Sequence, residues 1–537
     1  MSEPPLIDIR PDHWEIVRAI LNKHLPDREV WAFGSRAKWT AKQYSDLDLA
    51  ILGDEPLDLG VLAGLEEDFS ESDLPFKVDV VDWATTAEGF RKIIERDRVV
   101  VQLAKGTSCE WGAQSLESCM EAIIDYRGKT PQKTLYGIPL ITAKIVKGGR
   151  IETPDEFIAV EDYEQWMTRG IPKAGDVVVT TEAPLGQVAQ LGNERVALAQ
   201  RLIALRGKSR VLDNGFLKFL MQSENVQDQL HARASGTTVL GIKQSELRNV
   251  LLTLPPYSEQ RAIAQVLGAL DDKIELNRRM NADLEAMARA LFKDWFVDFG
   301  PVRAKAEGRP AYLAQEIWDL FPDAMDDEDK PVGWRLDCLG AFTDLQNGYA
   351  FKSADWRDEG VPVVKIGSVK PSVVDLNEVS YISPSLAKER SAFRLNIGDT
   401  LVGLTGYVGE TGRVPPTINP PMLNQRVARF SSSGKFSPFV YACVRDPAFK
   451  IYAENKAHGS AQANVSTKDL LTYPVINPNI RIVSSFEGLV APLFDKSLAN
   501  LGEMGKLATT RDLLLPKLIT GEIRVKDAER WVGDVVG

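Results

Sequence analysis

The sequence predicts a multidomain α/β protein: two α/β globules separated by two long antiparallel helices, with a further small α/β domain in front. Three observations carry this. Residues 106–537 repeat themselves at an offset of about 223, each repeat ends in a helix with a seven-residue pattern, and residues 1–105 have a different texture. A hydrophobic content of 44% and a charged content of 26% are ordinary for globular proteins. No apolar run approaches the ~18 residues that span a membrane. The opening MSEPPLIDIRPD has neither a basic nor an apolar leader region, so no signal peptide is expected. Cys109, Cys119, Cys338 and Cys443 form no C-x-x-C pair. That spacing argues against a disulfide framework or a zinc site and suits a reducing cytoplasm.

Charge is unevenly spread. Residues 1–105 hold 13 Lys and Arg against 21 Asp and Glu, so the remaining 432 residues carry only −3 of the net −11. The acidic stretch Asp323 to Asp329 outweighs that remainder. The rest of the body is near neutral, which neither requires nor forbids a polyanionic partner.

In the repeat, Gly175-Asp176 recurs as Gly398-Asp399, and Ala199-Gln200-Arg201 recurs as Asn424-Gln425-Arg426. Ser235-Gly236-Thr237 aligns with His458-Gly459-Ser460, and Asp272-Lys273 with Asp495-Lys496. In the first helix Ile263, Leu270, Asn277, Leu284 and Leu291 are spaced by sevens; Phe486, Leu493, Asn500, Leu507 and Leu514 do the same in the second. With apolar residues four positions on (Leu267, Ile274, Val490, Met504, Leu518), this describes a coiled-coil seam. Asn277 and Asn500 sit at mid-seam. In an antiparallel pair they approach one another and set the register; alternatively each faces solvent where the seam frays.

The resulting segments are 1–105, a globule at 106–258, a helix at 259–299, an acidic connector at 300–330, a globule at 331–480 and a helix at 481–537. Prolines 255, 256, 474 and 478 close the strand-rich parts before the helices begin. A helix of about 40 residues is roughly 60 Å long. Two of them laid antiparallel hold two globules at a fixed separation, which suits a split target on an extended polymer; B-DNA offers half-sites about 34 Å apart.

This order of globule, helix, connector, globule, helix resembles the specificity subunit of type I restriction-modification systems. Leu254-Pro-Pro-Tyr-Ser-Glu-Gln-Arg261, Leu291-Phe-Lys-Asp-Trp-Phe296 and Leu514-Leu-Pro-Lys-Leu-Ile-Thr-Gly521 are similar to that family's borders and helix ends. The resemblance implies two target-recognition domains, each reading half of a bipartite site in double-stranded DNA. It also implies helices that dock methyltransferase subunits, two by symmetry, and a restriction/translocase subunit that joins them. No cofactor and no membrane contact are expected for this part.

The repeated body shows no catalytic motif of its own. Leu254-Pro-Pro-Tyr257 has Leu where an adenine methyltransferase needs an Asp or Asn, and Gly128-Lys129-Thr130 has Ile123 where a phosphate loop needs its first glycine. Pro322-Asp323 with Glu328 and Lys330 echoes a nuclease motif but lies in the connector. Candidates for touching DNA are Gln200, Arg201 and Lys243 in one half and Gln425, Arg426 and Lys468 in the other. Gln pairs with adenine, Arg with guanine, and Lys holds phosphate. Shared folding explains their recurrence equally well.

Residues 1–105 read differently. A helix over 12–25 leads to Val30-Trp-Ala-Phe-Gly34-Ser35, then Asp46-Leu-Asp48-Leu-Ala-Ile-Leu52, an amphipathic helix and Val78-Asp79-Val-Val-Asp82. Strand alternation puts Asp46 and Asp48 on one face. Asp79 on a neighbouring strand completes a carboxylate set suited to Mg2+, whereas Asp82 points the other way. Gly34-Ser35 lets backbone approach a triphosphate and Arg36 is placed to clamp it. Trp14, Val17, Phe90, Ile93 and Ile94 read as core.

The Gly-Ser turn and spaced Asp-x-Asp resemble the minimal nucleotidyltransferase family over residues 10–103. The resemblance implies metal binding by Asp46, Asp48 and Asp79, with ATP or another NTP as donor and AMP transferred to protein or RNA. A degenerate fold kept for docking is the competing possibility. Two whole-chain alternatives also stand: a transferase whose repeated body holds its substrate, and a scaffold without sequence preference.

Overall fold

The computed structural model describes residues 7–536 apart from 43, 54, 103–110, 127–129, 237–238, 378, 432–435 and 460–462. Cys109, Gly128, Lys129, Thr237 and Ser460 thus lie outside the described residues. The chain divides into two compact units, one of residues 1–268 with 511–537 and one of residues 269–510. Among the described residues no helix is long and apolar enough to cross a membrane.

The first unit begins with a four-stranded sheet in the order 78–82, 47–51, 30–33, 99–102. The pair 47–51 and 78–82 is parallel, with Asp48 opposite Asp79; the other pairs are antiparallel. Every residue of Val30–Phe33 is buried because both faces of the sheet are covered. On one face Val30, Ala32, Leu47 and Leu49 meet Trp14, Val17 and Leu21 of the helix Pro11–His24 and Leu65 and Phe69 of the helix Leu59–Ser70. The Asp58 carboxylate accepts from the Gly60 and Val61 amides and starts the latter helix.

On the other face Trp31, Phe33 and Ala50 receive only Ile94 from the helix Glu88–Asp97. Phe90 and Ile93 are 42% and 48% exposed, so the expectation that they are core-facing is corrected. The helix touches the sheet along one narrow line, with Phe90 merely edge-on to Phe33 at 5.8 Å.

Each repeat then builds the same elements in the same order. In the first unit the strands Val177–Thr180 and Leu202–Gly207 and the helices Asn214–Gln222 and Gln244–Arg248 recur in the second as Thr400–Gly403, Val427–Ser431, Ser437–Arg445 and Thr467–Leu471. The buried Asp176 carboxylate takes both Arg206 donors at 2.7 and 2.8 Å, and Asp399 takes Arg429 at 3.0 Å. Ala204 pairs with Val178 where Arg429 pairs with Leu401. The arginine has therefore moved two residues along its strand, staying on the same face.

The long helices span Tyr257–Phe296 and Ile480–Thr520. Gln260, buried at the start of the first, bonds to the Asp213 amide and to the carbonyls of Val211 and Pro255, which fixes the helix to its globule. Within the second unit the two helices run side by side in opposite directions: Lys273 pairs with Glu503, and Asn281 donates to the Ser497 carbonyl. Asn277 and Asn500 are both buried and do not bond one another. Asn277 donates to Glu503 at 2.9 Å and Asn500 to Asn281 at 2.8 Å. Towards the end of the first helix burial passes to Ala288, Phe292 and Trp295, while Leu284 and Leu291 are only partly covered.

Two segments differ from their sequence reading. The stretch expected as a connector holds the helices Gly300–Ala306 and Gln315–Trp318, and its Val302 and Phe321 join the core of the second unit. The helix expected over 481–537 stops at Thr520, because Gly521 adopts a left-handed φ of +75°. A separate helix, Val525–Val536, follows; within the first unit its Ala528 is buried and Asp527 reaches Arg98 at 4.0 Å.

Asn500 is fully buried and its Oδ1 has no partner, so it is held in an apolar seam at a cost. We predict that Asn500→Leu raises the unfolding temperature of the second unit, with a gain of about 1 kcal/mol. Calorimetry of the full chain checks this; a lowered transition would show that the Asn281 bond matters more than the orphaned oxygen.

Candidate functional site

The N-terminal sheet gathers the three acidic residues at one end of two adjacent strands. Asp46 immediately precedes the strand Leu47–Ile51, Asp48 is its second residue, and the parallel register sets Asp79 beside Asp48. Asp46 is exposed and the other two are half-buried. The Asp48 carboxyl lies above the ordinary carboxylate range, first through desolvation and then through the charges of Asp79 and Asp46. Burial and like charge thus converge on one group, as they do where a cation is handled. Among the described residues no three His, Cys, Asp or Glu groups are closed into ion-holding geometry. Lys77 Nζ sits 2.5 Å from Asp79 Oδ1, and the same acidic neighbours hold its ammonium above its ordinary range.

Gly34 is required twice over. Its φ is +76°, and a Cβ there would lie 2.1 Å from Asp48 Oδ2, so only glycine lets this turn approach the carboxylate. Ser35 follows in a four-residue helical turn, its carbonyl taking the Thr40 amide. Arg36 does not stand free to clamp a phosphate. It is 5% exposed, donates from Nε to the Ser45 carbonyl and from Nη1 to the Asp8 carbonyl, and lies 3.8 Å over the Phe76 ring. Its reading as a triphosphate clamp is corrected: the guanidinium holds the loop that delivers Asp46. Asp82 accepts from the Leu57 and Ala84 amides and so shapes turns.

Lys77 was not singled out in the sequence, although its alternation with Asp79 on one strand face is a readable signal. The same domain holds a cleft of about 440 Å3 lined by His13, Arg36, Lys42, Tyr44, Asp73 and Phe76.

In the repeated body Gln200 and Arg201 form the turn before the strand Leu202–Gly207, and Gln425 and Arg426 the equivalent turn before Val427–Ser431. Arg201 is exposed and bonds Glu182 at 2.9 Å, beside a cleft of about 230 Å3 that Lys133 and Lys144 also line. Arg426 is exposed. Lys243 and Lys468 are exposed too but are not equivalents. Lys243 immediately precedes the helix Gln244–Arg248, a place taken by Ser466 in the second half, where Lys468 lies two residues further on. The offset is 225 at the Arg turns and 223 at these helices, which the sequence match ran together.

A carboxylate-bearing nucleotidyl-transfer fold ahead of a duplicated recognition body is the class of protein these features define. Residues 123–286 match the family of the type I restriction modification DNA specificity domain, and residues 15–104 that of polymerase beta nucleotidyltransferases. The type I restriction enzyme MjaIX specificity subunit of Methanocaldococcus jannaschii is 26% identical over 436 residues, covering 78% of this chain and 94% of that protein. The probable protein adenylyltransferase MntA of Haemophilus influenzae is 56% identical over 96 residues, 18% of this chain and 84% of that protein. A crystal structure of a type I restriction-modification S subunit from M. genitalium covers 78% of this chain and 98% of its own, with 16% identity and a TM-score of 0.44. The N-terminal segment belongs to the MntA-type nucleotidyltransferases, and the repeated body is similar to type I restriction-modification specificity subunits.

Because the folded state raises Asp48, its ionised form costs stability, and that cost grows as pH rises through the raised pKa. Asp48→Asn is therefore expected to raise the unfolding temperature near neutral pH while abolishing Mn2+ binding followed by electron paramagnetic resonance. In the wild type, Mn2+ binding should weaken as pH falls towards the raised pKa. Destabilisation by the variant would show that hydrogen bonding, not repulsion, dominates at Asp48.

Proposed function

We propose that this chain is the DNA-reading subunit of a type I complex and recognises a bipartite site, one half with residues 106–258 and the other with 331–480. The observation that carries this is the element-by-element duplication of the body, each copy leading into a helix of 40 or 41 residues. A split sequence requires two reading edges at a fixed spacing, and long helices following each copy are the kind of element that would set it. The helices Tyr257–Phe296 and Ile480–Thr520 are the docking surfaces for two methyltransferase subunits, which supply the methyl transfer. The restriction/translocase subunit joins that core, and the buried Asn277 and Asn500 keep the helices in one register.

The N-terminal segment, residues 1–105, is read as a nucleotidyltransferase acting on protein or RNA with ATP or another NTP as donor. The donor set suits a divalent cation in kind: Asp48 stands opposite Asp79 on adjacent strands and Asp46 lies two residues before Asp48. Asp46, Asp48 and Asp79 would hold Mg2+, which when bound neutralises phosphate charge and aligns the triphosphate. Gly34 and Ser35 offer backbone to the phosphates. An acceptor hydroxyl attacks the α-phosphorus and its proton passes to Asp79; the bond to the bridging oxygen breaks and pyrophosphate leaves. Arg36 positions Asp46 throughout.

Co-expression with the partner methyltransferase in a host lacking that modification, followed by sequencing of methylated positions, tests the main reading. We expect a single motif of two short blocks around a fixed spacer. Methylation without such a motif would reduce the body to a scaffold. Independently, labelled ATP with Mg2+ should mark an acceptor for wild type and lose at least roughly tenfold of the signal for Asp46→Asn; equal silence across protein and RNA acceptors would leave this segment a docking fold.

A further inference from the structure

The two recognition segments share a scaffold but differ at one polar corner. Next to the Arg turn, the Thr181 amide donates to the Arg201 carbonyl at 3.0 Å and the Leu404 amide to the Arg426 carbonyl at 3.0 Å. The Ile242 amide bonds the Thr181 carbonyl and the Val465 amide the Leu404 carbonyl, again at 3.0 Å each. Ser235 exchanges backbone bonds with Gly241 as His458 does with Asn464. Glu182 bridges Gly241 where Thr405 bridges Asn464.

Upon this common backbone the side chains trade size. Glu182 faces Gly241, where an added Cβ would lie 3.3 Å from the Glu182 side chain. Thr405 is shorter and faces Asn464, whose Oδ1 takes its hydroxyl at 2.6 Å. In each pair the first residue follows the one whose amide bonds the carbonyl of an exposed arginine, Arg201 or Arg426. Glu182 meets Arg201 through Nε at 2.9 Å, a contact that spends Nε and not the terminal nitrogens. Arg426 has no such carboxylate beside it among the described residues: the equivalent place is Thr405, already bonded to Asn464.

We propose that this corner is the base-reading edge of each segment, and that Glu182 with Gly241, against Thr405 with Asn464, makes the two half-sites differ. The proposal rests on the DNA-reading function argued above. A guanidinium braced at Nε keeps its terminal nitrogens for the paired O6 and N7 acceptors of guanine, and a carboxylate accepts from the N4 amine of cytosine. The first corner therefore reads a G·C pair strictly. The second offers an unbraced Arg426 and the amide donors of Asn464, a less demanding edge at the same place in its half-site.

The test is methylation mapping of the full chain co-expressed with its methyltransferase subunits. Glu182→Gln keeps the shape and removes the charge that braces Arg201. It should relax one G·C position in one block only, with methylation at sites altered there rising on the order of tenfold. Glu182→Thr combined with Gly241→Asn should bring that position to the preference of the other block. An unchanged motif at unchanged methylation, or changes in both blocks, overturns the proposal. If the double variant unfolds on thermal melting, the isosteric Glu182→Gln decides alone. Absence of any two-block motif in the wild type overturns the DNA-reading function itself, a distinct result.

Discussion

The second unit depends on one apolar contact, the cluster of rings where the helix Tyr257–Phe296 ends. Phe296 lies 5.1 Å from Phe486 and 5.2 Å from Phe439, and Trp295 lies 4.9 Å from Phe321. Four pieces of chain meet there: both long helices, the stretch after the first of them, and a helix of the recognition segment. Such ring pairs add about 0.5–1.5 kcal/mol each beyond their burial. The geometry follows from it, because a helix anchored at a ring cluster has little freedom to rotate about its axis. Asn277 and Asn500 then fall inside the seam, where a buried amide tolerates few registers.

The N-terminal carboxylates show the opposite economy. Asp48 is held between the charges of Asp79 and Asp46, while the Lys77 ion pair is made to Asp79. A sheet built for stability alone would not place Asp48 against a left-handed glycine with an acidic partner across the ladder. Strain of this kind marks positions where activity and stability pull apart. Arg36 belongs to the other side of that division, since it is buried and spends its donors on backbone carbonyls.

Much of this was legible in the sequence. The strand pattern around Asp46, Asp48 and Asp79 and the seven-residue spacing of Leu270, Asn277, Leu507 and Leu514 depend on local periodicity, which the chain displays openly. What escaped reading depends on distant partners. An arginine after a Gly-Ser turn looks the same whether it faces solvent or covers Phe76. Phe90 and Ile93 look like core until the helix proves to touch the sheet through Ile94 alone. The Lys243 and Lys468 match failed because two residues are lost between the Arg turns and the next helix, a length change that self-comparison at a fixed offset hides. The acidic stretch from Asp323 concealed the apolar Val302 and Phe321 around it.

The return of residues 511–537 to the first unit makes that unit discontinuous in sequence. During synthesis its nucleotidyltransferase sheet and first recognition segment leave the ribosome well before the helix Val525–Val536, whose Ala528 is buried among them. The whole second unit emerges in between. The first unit therefore closes only after the second has emerged, and a chain cut within the second repeat lacks residues 511–537 of the first unit as well.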